Sequence, residues 1–233
     1  MDSYINIETL DHDGSFPAYT ATPEGEPRAA IVVLQEIFGV NAGIRDKCDL
    51  LAKAGYLAIA PDLFWRIEPG IELDPDVPDE MQRGFSLFGE FNQDLGIRDI
   101  EATIRAARAK LGSGGKVGAV GYCLGGRLAY MTAARTDIDA SVGYYGVGLD
   151  GLLHESHAIA NPLMLHIAAE DGFVPKETQA KLHKALDSHP KVTLYDYPGL
   201  DHGFAAQMGN RRNEEGAQLA DSRTAAFFAE HIG

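Results

Sequence analysis

Short apolar runs alternating with amphipathic stretches over nearly the whole length limit what this chain can build. The runs lie at residues 29–34, 56–60, 116–122, 140–145, 162–168 and 191–197, and each reads as a strand. Between them, Ile44, Cys48 and Leu51 fall on one helical stripe with Asn41 available as its cap. Ile97, Ile100, Ile104, Ala107 and Leu111 recur at intervals of three and four, as a half-buried helix requires. Further helical patterns cover 127–135, 177–188 and 221–232. Such alternation predicts parallel strands with helices on both faces of one sheet. The more polar opening stretches, 4–9 and 16–22, predict an antiparallel hairpin at the sheet edge.

The chain has 233 residues with no repeat, low-complexity tract or linker, so 1–233 is expected to form one α/β domain. Residues 63–91 break the rhythm with Pro69, Pro75 and Pro78, followed by Phe85, Phe88 and Phe91. This irregular excursion, with a short helix at its end, reads equally as a surface loop or as a lid or wall over a binding site.

The formal net charge of −14 repels phosphate backbones and anionic lipid headgroups, which argues against nucleic acid and membrane as partners. It also disfavours anionic substrates at long range, unless a local basic group overrides the field. Residues 1–10 have neither the basic start nor the apolar core of a secretory signal. No apolar run approaches the ~20 residues that span a bilayer. The expectation is a cytoplasmic protein whose two cysteines, Cys48 and Cys123, are free thiols. A monomer is compatible with the sequence, which does not set the oligomeric state.

The strongest local signal is Gly121-Tyr122-Cys123-Leu124-Gly125-Gly126, where an apolar strand turns sharply into a helix. Gly-x-Cys-x-Gly is the pattern of a nucleophile elbow with sulfur in place of the usual serine oxygen. Glycines two positions either side leave room for a strained central residue. The helix N-terminus behind the thiol favours its thiolate. Taken alone, Cys123 could equally be a small buried residue in a glycine-rich turn. A phosphate loop fits poorly, because no Gly-Lys-Ser/Thr follows and the glycines do not match Gly-x-Gly-x-x-Gly.

An elbow demands an acid and then a histidine later in the chain. Asp171 follows the strand at 162–168, and His202 follows the strand at 191–197 in a turn-rich loop. Three such residues in this order, each after a strand, support a Cys123–His202–Asp171 triad. The neighbouring acids Glu170 and Asp201 remain alternatives. His166, inside an apolar run, reads as a core histidine, and Cys48 as core packing. His154 and His157 lack a third ligand nearby, so no metal is expected, and nothing calls for a cofactor. The loop after the first parallel strand, Gln35-Glu36-Ile37-Phe38, would supply one oxyanion amide from Ile37, with the other from Leu124. Glu36 is an unusual carboxylate for a strand end facing an elbow.

These residues make the chain resemble the dienelactone hydrolase (carboxymethylenebutenolidase) family of the α/β-hydrolase fold. The motifs carrying the resemblance are Gln35-Glu36-Ile37-Phe38-Gly39-Val40-Asn41, Pro61-Asp62-Leu63, the elbow, and Gly143-Tyr144-Tyr145-Gly146. The resemblance implies a hydrolase of small esters or lactones in which Cys123, His202 and Asp171 react. Glu36 would hold the resting thiol. Phe38, Phe85, Phe88, Tyr145 and Phe204 would line the substrate pocket. Members acting on dienelactone clamp its carboxylate with two arginines and a tyrosine, where this chain has Met81, Phe85 and Ala206. A preference for neutral substrates follows, with Arg83 as the one nearby cation that could restore a dienelactone site. The remaining alternative is a non-catalytic binding protein on the same fold.

Overall fold

The computed structural model describes residues 3–233. One eight-stranded sheet runs through it in the order β1-β2-β4-β3-β5-β6-β7-β8. β1 (Ser3–Glu8) and β2 (Ser15–Ala21) form the antiparallel edge hairpin, and β2 continues antiparallel to β4 (Leu57–Pro61). β3 (Ala30–Leu34), β4, β5 (Val117–Tyr122), β6 (Ala140–Tyr144), β7 (Leu163–Ala168) and β8 (Val192–Tyr197) are mutually parallel. The parallel strands β3 to β7 are buried along their whole length, which is why they read as apolar runs rather than as alternating ones. This is the α/β-hydrolase arrangement.

Strand order reverses at β3, which has β4 on one side and β5 on the other. A crevice opens at the carboxyl ends of strands at such a switch point. Glu36 follows β3 there, and Cys123 follows β5.

The helices pack on both faces. α1 (Ala42–Lys53) starts where Asn41 accepts from the Ile44 amide at 3.2 Å. α2 (Pro78–Glu90) occupies the end of the excursion and, at 13 residues, is a full helix rather than a short one. Pro78 stands at its first position, where a missing N–H costs nothing, and Asp79 and Glu80 favour the same end. The excursion is fastened to the loop after β3, because Leu73 N donates to Phe38 O (2.9 Å) and Asn41 Nδ2 to Leu73 O (2.9 Å).

α3 (Gln93–Leu111), α4 (Leu124–Arg135) and α5 (Lys176–Leu186) follow the sequence patterns. α6 (Glu214–His231) begins seven residues earlier than the apolar periodicity suggests. Asn213 caps it by accepting from Gly216 N at 2.9 Å. Its first two turns carry acids and small residues, which hid the helical stripe. A 3-10 segment, Leu149–Ala158, was not legible as regular structure. It holds His154 and His157, and no group of metal-ligating side chains assembles among the described residues. No helix among them is long and apolar enough to cross a membrane.

A buried polar chain pins α1 and α6 to the sheet behind the elbow. Lys47 donates to Asp221 (3.2 Å), and Asp221 also accepts from Tyr144 Oη (3.0 Å). Tyr144 Oη is also hydrogen-bonded to the Thr224 hydroxyl (2.6 Å), which bonds His166 Nε2 (2.9 Å). His166 Nδ1 completes the chain at Tyr197 Oη (2.7 Å). Burial first, then the charges of Arg223 and Lys47, push the His166 imidazole down to about 3.

The unfolded chain therefore takes up a proton near 6.5 that the native state refuses until about 3. Stability from this site is complete above that upper value and drains as pH falls through the interval, by up to about 1.4 kcal/mol per pH unit. His166→Gln should flatten the acid limb of the stability curve between pH 6 and 4, as measured by urea unfolding. Equal slopes in the two proteins would refute this assignment.

Candidate active site

The turn from β5 to α4 leaves no space to spare. Cys123 sits at φ 56°, ψ −113°, a conformation that side-chain-bearing residues rarely adopt. A Cβ on Gly121 would lie 1.9 Å from Gly125 O, and one on Gly125 would lie 2.1 Å from Leu34 O. Both positions must therefore be glycine for the strand to turn beside β3. The Cys123 amide is tied to Tyr144 O of β6 at 3.1 Å. The Leu124 and Ile37 amides donate to no acceptor among the described residues. Gln35 fixes the Ile37 loop by accepting from Leu63 N at 3.0 Å.

The loops after β7 and β8 bring an acid and a base to the same place. His202 Nδ1 lies 2.9 Å from Asp171 Oδ2, and both side chains are almost fully buried. The second Asp171 oxygen accepts from Phe173 N at 2.8 Å, which aims the carboxylate. Of the alternative acids, Glu170 turns outward to Lys176 (2.9 Å). Asp201 accepts from His202 N (2.6 Å) and Gly172 N (3.1 Å), so it fastens one loop to the other instead of touching the imidazole.

His202 and Cys123 line the same cavity. Burial opposes the positive charge of His202, but the negative charge of Cys123 and the Asp171 hydrogen bond outweigh burial and push the imidazole up to about 10. Glu36 lines the cavity beside Cys123, and its carboxylate takes no hydrogen bond from any described residue. Burial raises its affinity for a proton, against the opposing charges of His202, Lys47 and Arg211. No hydrogen bond joins the Cys123 sulfur to Glu36 among the described residues.

These groups floor a cavity of about 370 Å³. Ile37 and Phe38 form one side, and Met81, Phe85 and Phe88 form the α2 side. Three sequence expectations need correction. Arg83 does not reach the cavity. Met81, Phe85 and Phe88 share one face of α2, and Arg83 lies on another, bound to Glu68 (2.8 Å) and Glu90 (3.4 Å). Tyr145 and Phe204 are buried beneath the cavity rather than lining it. The Tyr145 ring packs edge-on to His202 (5.0 Å) and Phe204 (5.6 Å), so both support the base from behind.

Sequence reasoning missed Arg127, Arg211 and Phe173, which do line the cavity. Arg127 was findable, because four residues after Cys123 is the same face of α4. Arg211 and Phe173 lie on irregular loops with no period to read.

The comparisons with known proteins identify the family and the fold. The family model described as the dienelactone hydrolase family matches residues 16–232. A protein of Azospirillum brasilense, provisionally named a carboxymethylenebutenolidase, is 48% identical over 231 residues, covering 98% of this chain and 99% of that one. The carboxymethylenebutenolidase of Pseudomonas putida is 38% identical over 225 residues, covering 97% and 95%. Among solved structures, a Klebsiella pneumoniae protein provisionally named a dienelactone hydrolase superposes with a TM-score of 0.84 at 29% identity, covering 99% of each chain.

The Asp171 hydrogen bond is one of the contacts that raise His202. Asp171→Asn should therefore lower the pH at which His202 loses its proton, read from the imidazole signals by NMR. A midpoint unchanged from the wild type would mean that Asp171 only fills space.

Proposed function

Because the chain belongs to the dienelactone hydrolase family and is therefore a hydrolase, we propose that it cleaves small carboxylic esters or lactones through Cys123. The observation that carries this reading is the buried Asp171–His202 pair, whose imidazole lines the same cavity as Cys123. In the proposed cycle the Cys123 thiolate, paired with the His202 imidazolium, attacks the substrate carbonyl carbon. The displaced electron pair moves onto the carbonyl oxygen, to which the free amides of Ile37 and Leu124 donate. Collapse expels the alkoxide, and His202 gives it a proton. His202 then takes a proton from water as that water attacks the thioester, releasing the acid and restoring the thiolate. Asp171 holds the imidazole in the orientation that each transfer needs.

Glu36 restrains the resting thiol in this reading, because a second negative charge beside the sulfur disfavours its thiolate. Against the α2 wall the substrate presents an uncharged, apolar part. Met81, Phe85 and Ala206 offer no partner to a carboxylate there, and burying one without a partner would cost roughly 2–5 kcal/mol.

Cys123→Ala should abolish ester hydrolysis, by roughly 10³-fold or more in kcat. Iodoacetamide should label wild-type protein at Cys123, located by mass spectrometry. Cys48 is fully buried with its thiol pushed far above the usual range, and it should stay unlabelled. Substantial turnover by clean Cys123→Ala protein would end the assignment.

Glu36→Gln should be alkylated faster than wild type wherever Glu36 is ionised. The difference should fade as pH falls and the wild-type carboxylate takes up its proton. Superimposable rate-against-pH curves would remove Glu36 from the mechanism.

A further inference from the structure

Two arginines line the cavity, and they differ in what they hold. Arg211 faces Asp201, with Nη1 3.8 Å from Oδ2. Arg127 has no carboxylate partner among the described residues. Its Nε donates to Gln93 Oε1 (2.6 Å), and Nη1 donates to the carbonyls of Val147 (3.3 Å) and Gly148. All three acceptors are neutral, and Nη2 donates to none. Burial, aided by the like charge of Arg135 and opposed by the more distant charges of Asp150 and Glu155, makes the guanidinium less willing to hold its proton than usual.

The cradle is shaped around this side chain. Gly148 has φ +63°, and a Cβ there would come within 2.7 Å of Arg127 Nη1. A half-buried cation whose direct partners are neutral dipoles is incompletely compensated, and its free Nη2 can donate to a carboxylate. Glu36 stands beside Cys123, so an anion in the cavity is repelled at the sulfur and attracted at Arg127. That arrangement orients a substrate with a charge at one end and a reactive carbonyl at the other.

We propose that Arg127 is a specificity-determining residue of this cavity: for a carboxylated substrate of the family's class, it takes the carboxylate that Met81, Phe85 and Ala206 cannot hold while the carbonyl lies at Cys123. The proposal rests on the reading of Cys123 as nucleophile. It departs from the neutral preference implied by Met81, Phe85 and Ala206, because the cation comes from α4 rather than from α2 or the histidine loop. The molecule's overall negative field does not forbid this, since a contact cation acts at short range where solvent is excluded.

The test compares matched esters in the full-length protein at fixed ionic strength. p-Nitrophenyl butyrate against p-nitrophenyl hydrogen glutarate places the charge on the acyl side. Phenyl butyrate against 4-carboxyphenyl butyrate places it on the leaving group. In at least one pair the charged ester should have the higher kcat/KM. Arg127→Met should reduce the charged-to-neutral ratio by roughly ten- to a hundredfold, with Arg127→Lys between the two. Gly148→Ala, which displaces the guanidinium without removing it, should lower the same ratio. Glutarate should also slow alkylation of Cys123 by iodoacetamide, and this protection should disappear in Arg127→Met.

A ratio that stays within about twofold in both pairs, together with unchanged glutarate protection, would overturn the role of Arg127 and leave the nucleophile assignment standing. Hydrolysis surviving in Cys123→Ala would instead overturn the nucleophile, whatever the ratio does.

Discussion

Everything at this site depends on how closely three strands approach at the elbow. Gly121 and Gly125 let the β5–α4 turn press against the backbone of β3, and the Cys123 amide is bonded across to β6. A turn held from both sides has one solution, and that solution forces Cys123 to positive φ. The strain is stored where the fold is most rigid, in strands buried along their length. The same compression points the sulfur into the crevice and leaves the Leu124 amide without an acceptor. The placement of Cys123 and the unpaired Leu124 amide are thus one geometric fact.

The electrostatics build on that rigidity. A buried imidazole is normally easier to deprotonate, as His166 shows one strand further in. His202 is also buried but moves the opposite way, because Asp171 and Cys123 flank it with negative charge. The two histidines separate burial from charge pairing within a single protein. His166 bonds only hydroxyls and stays neutral, serving as a rivet. His202 has a carboxylate and a sulfur, and it holds a proton that it can hand on. Asp201 contributes by locking the two loops together, which keeps the imidazole at a fixed distance from its acid.

The sheet and the positions of Cys123, Asp171 and His202 at strand ends could be read from the sequence because they follow rules of period and order. Apolar runs gave the strand positions, and an elbow requires its partners downstream. The walls obey no such rule. Arg83 was the obvious cation near the expected clamp, but helical geometry sends it to Glu68 and Glu90, away from Met81, Phe85 and Phe88. Tyr145 and Phe204 carry the right chemistry for a pocket, yet they lie one layer too deep. Which layer an aromatic residue occupies depends on how loops after β6 and β8 stack, and that is a long-range packing outcome. The early start of α6 was missed for a local reason, since its cap is clear but its first turns lack an apolar stripe.

This division between rigid floor and variable walls explains how recognition can relocate while chemistry stays in place. Cys123, Asp171 and His202 each follow a parallel strand directly or within a few residues, so their mutual geometry is set by strand register. The α2 wall instead hangs on a handful of contacts, among them Leu73 with Phe38 and Asn41. Met81 and Phe85 stand on the inward face of that wall. Arg127 is the intermediate case, since it sits on α4 one turn from Cys123 and inherits the precision of the elbow. A cation mounted there is held by the same helix that positions the sulfur, so the distance between charge and nucleophile is fixed by the fold. A cation on α2 would move with the wall. Selecting substrates by length as well as by charge is therefore physically easier from α4.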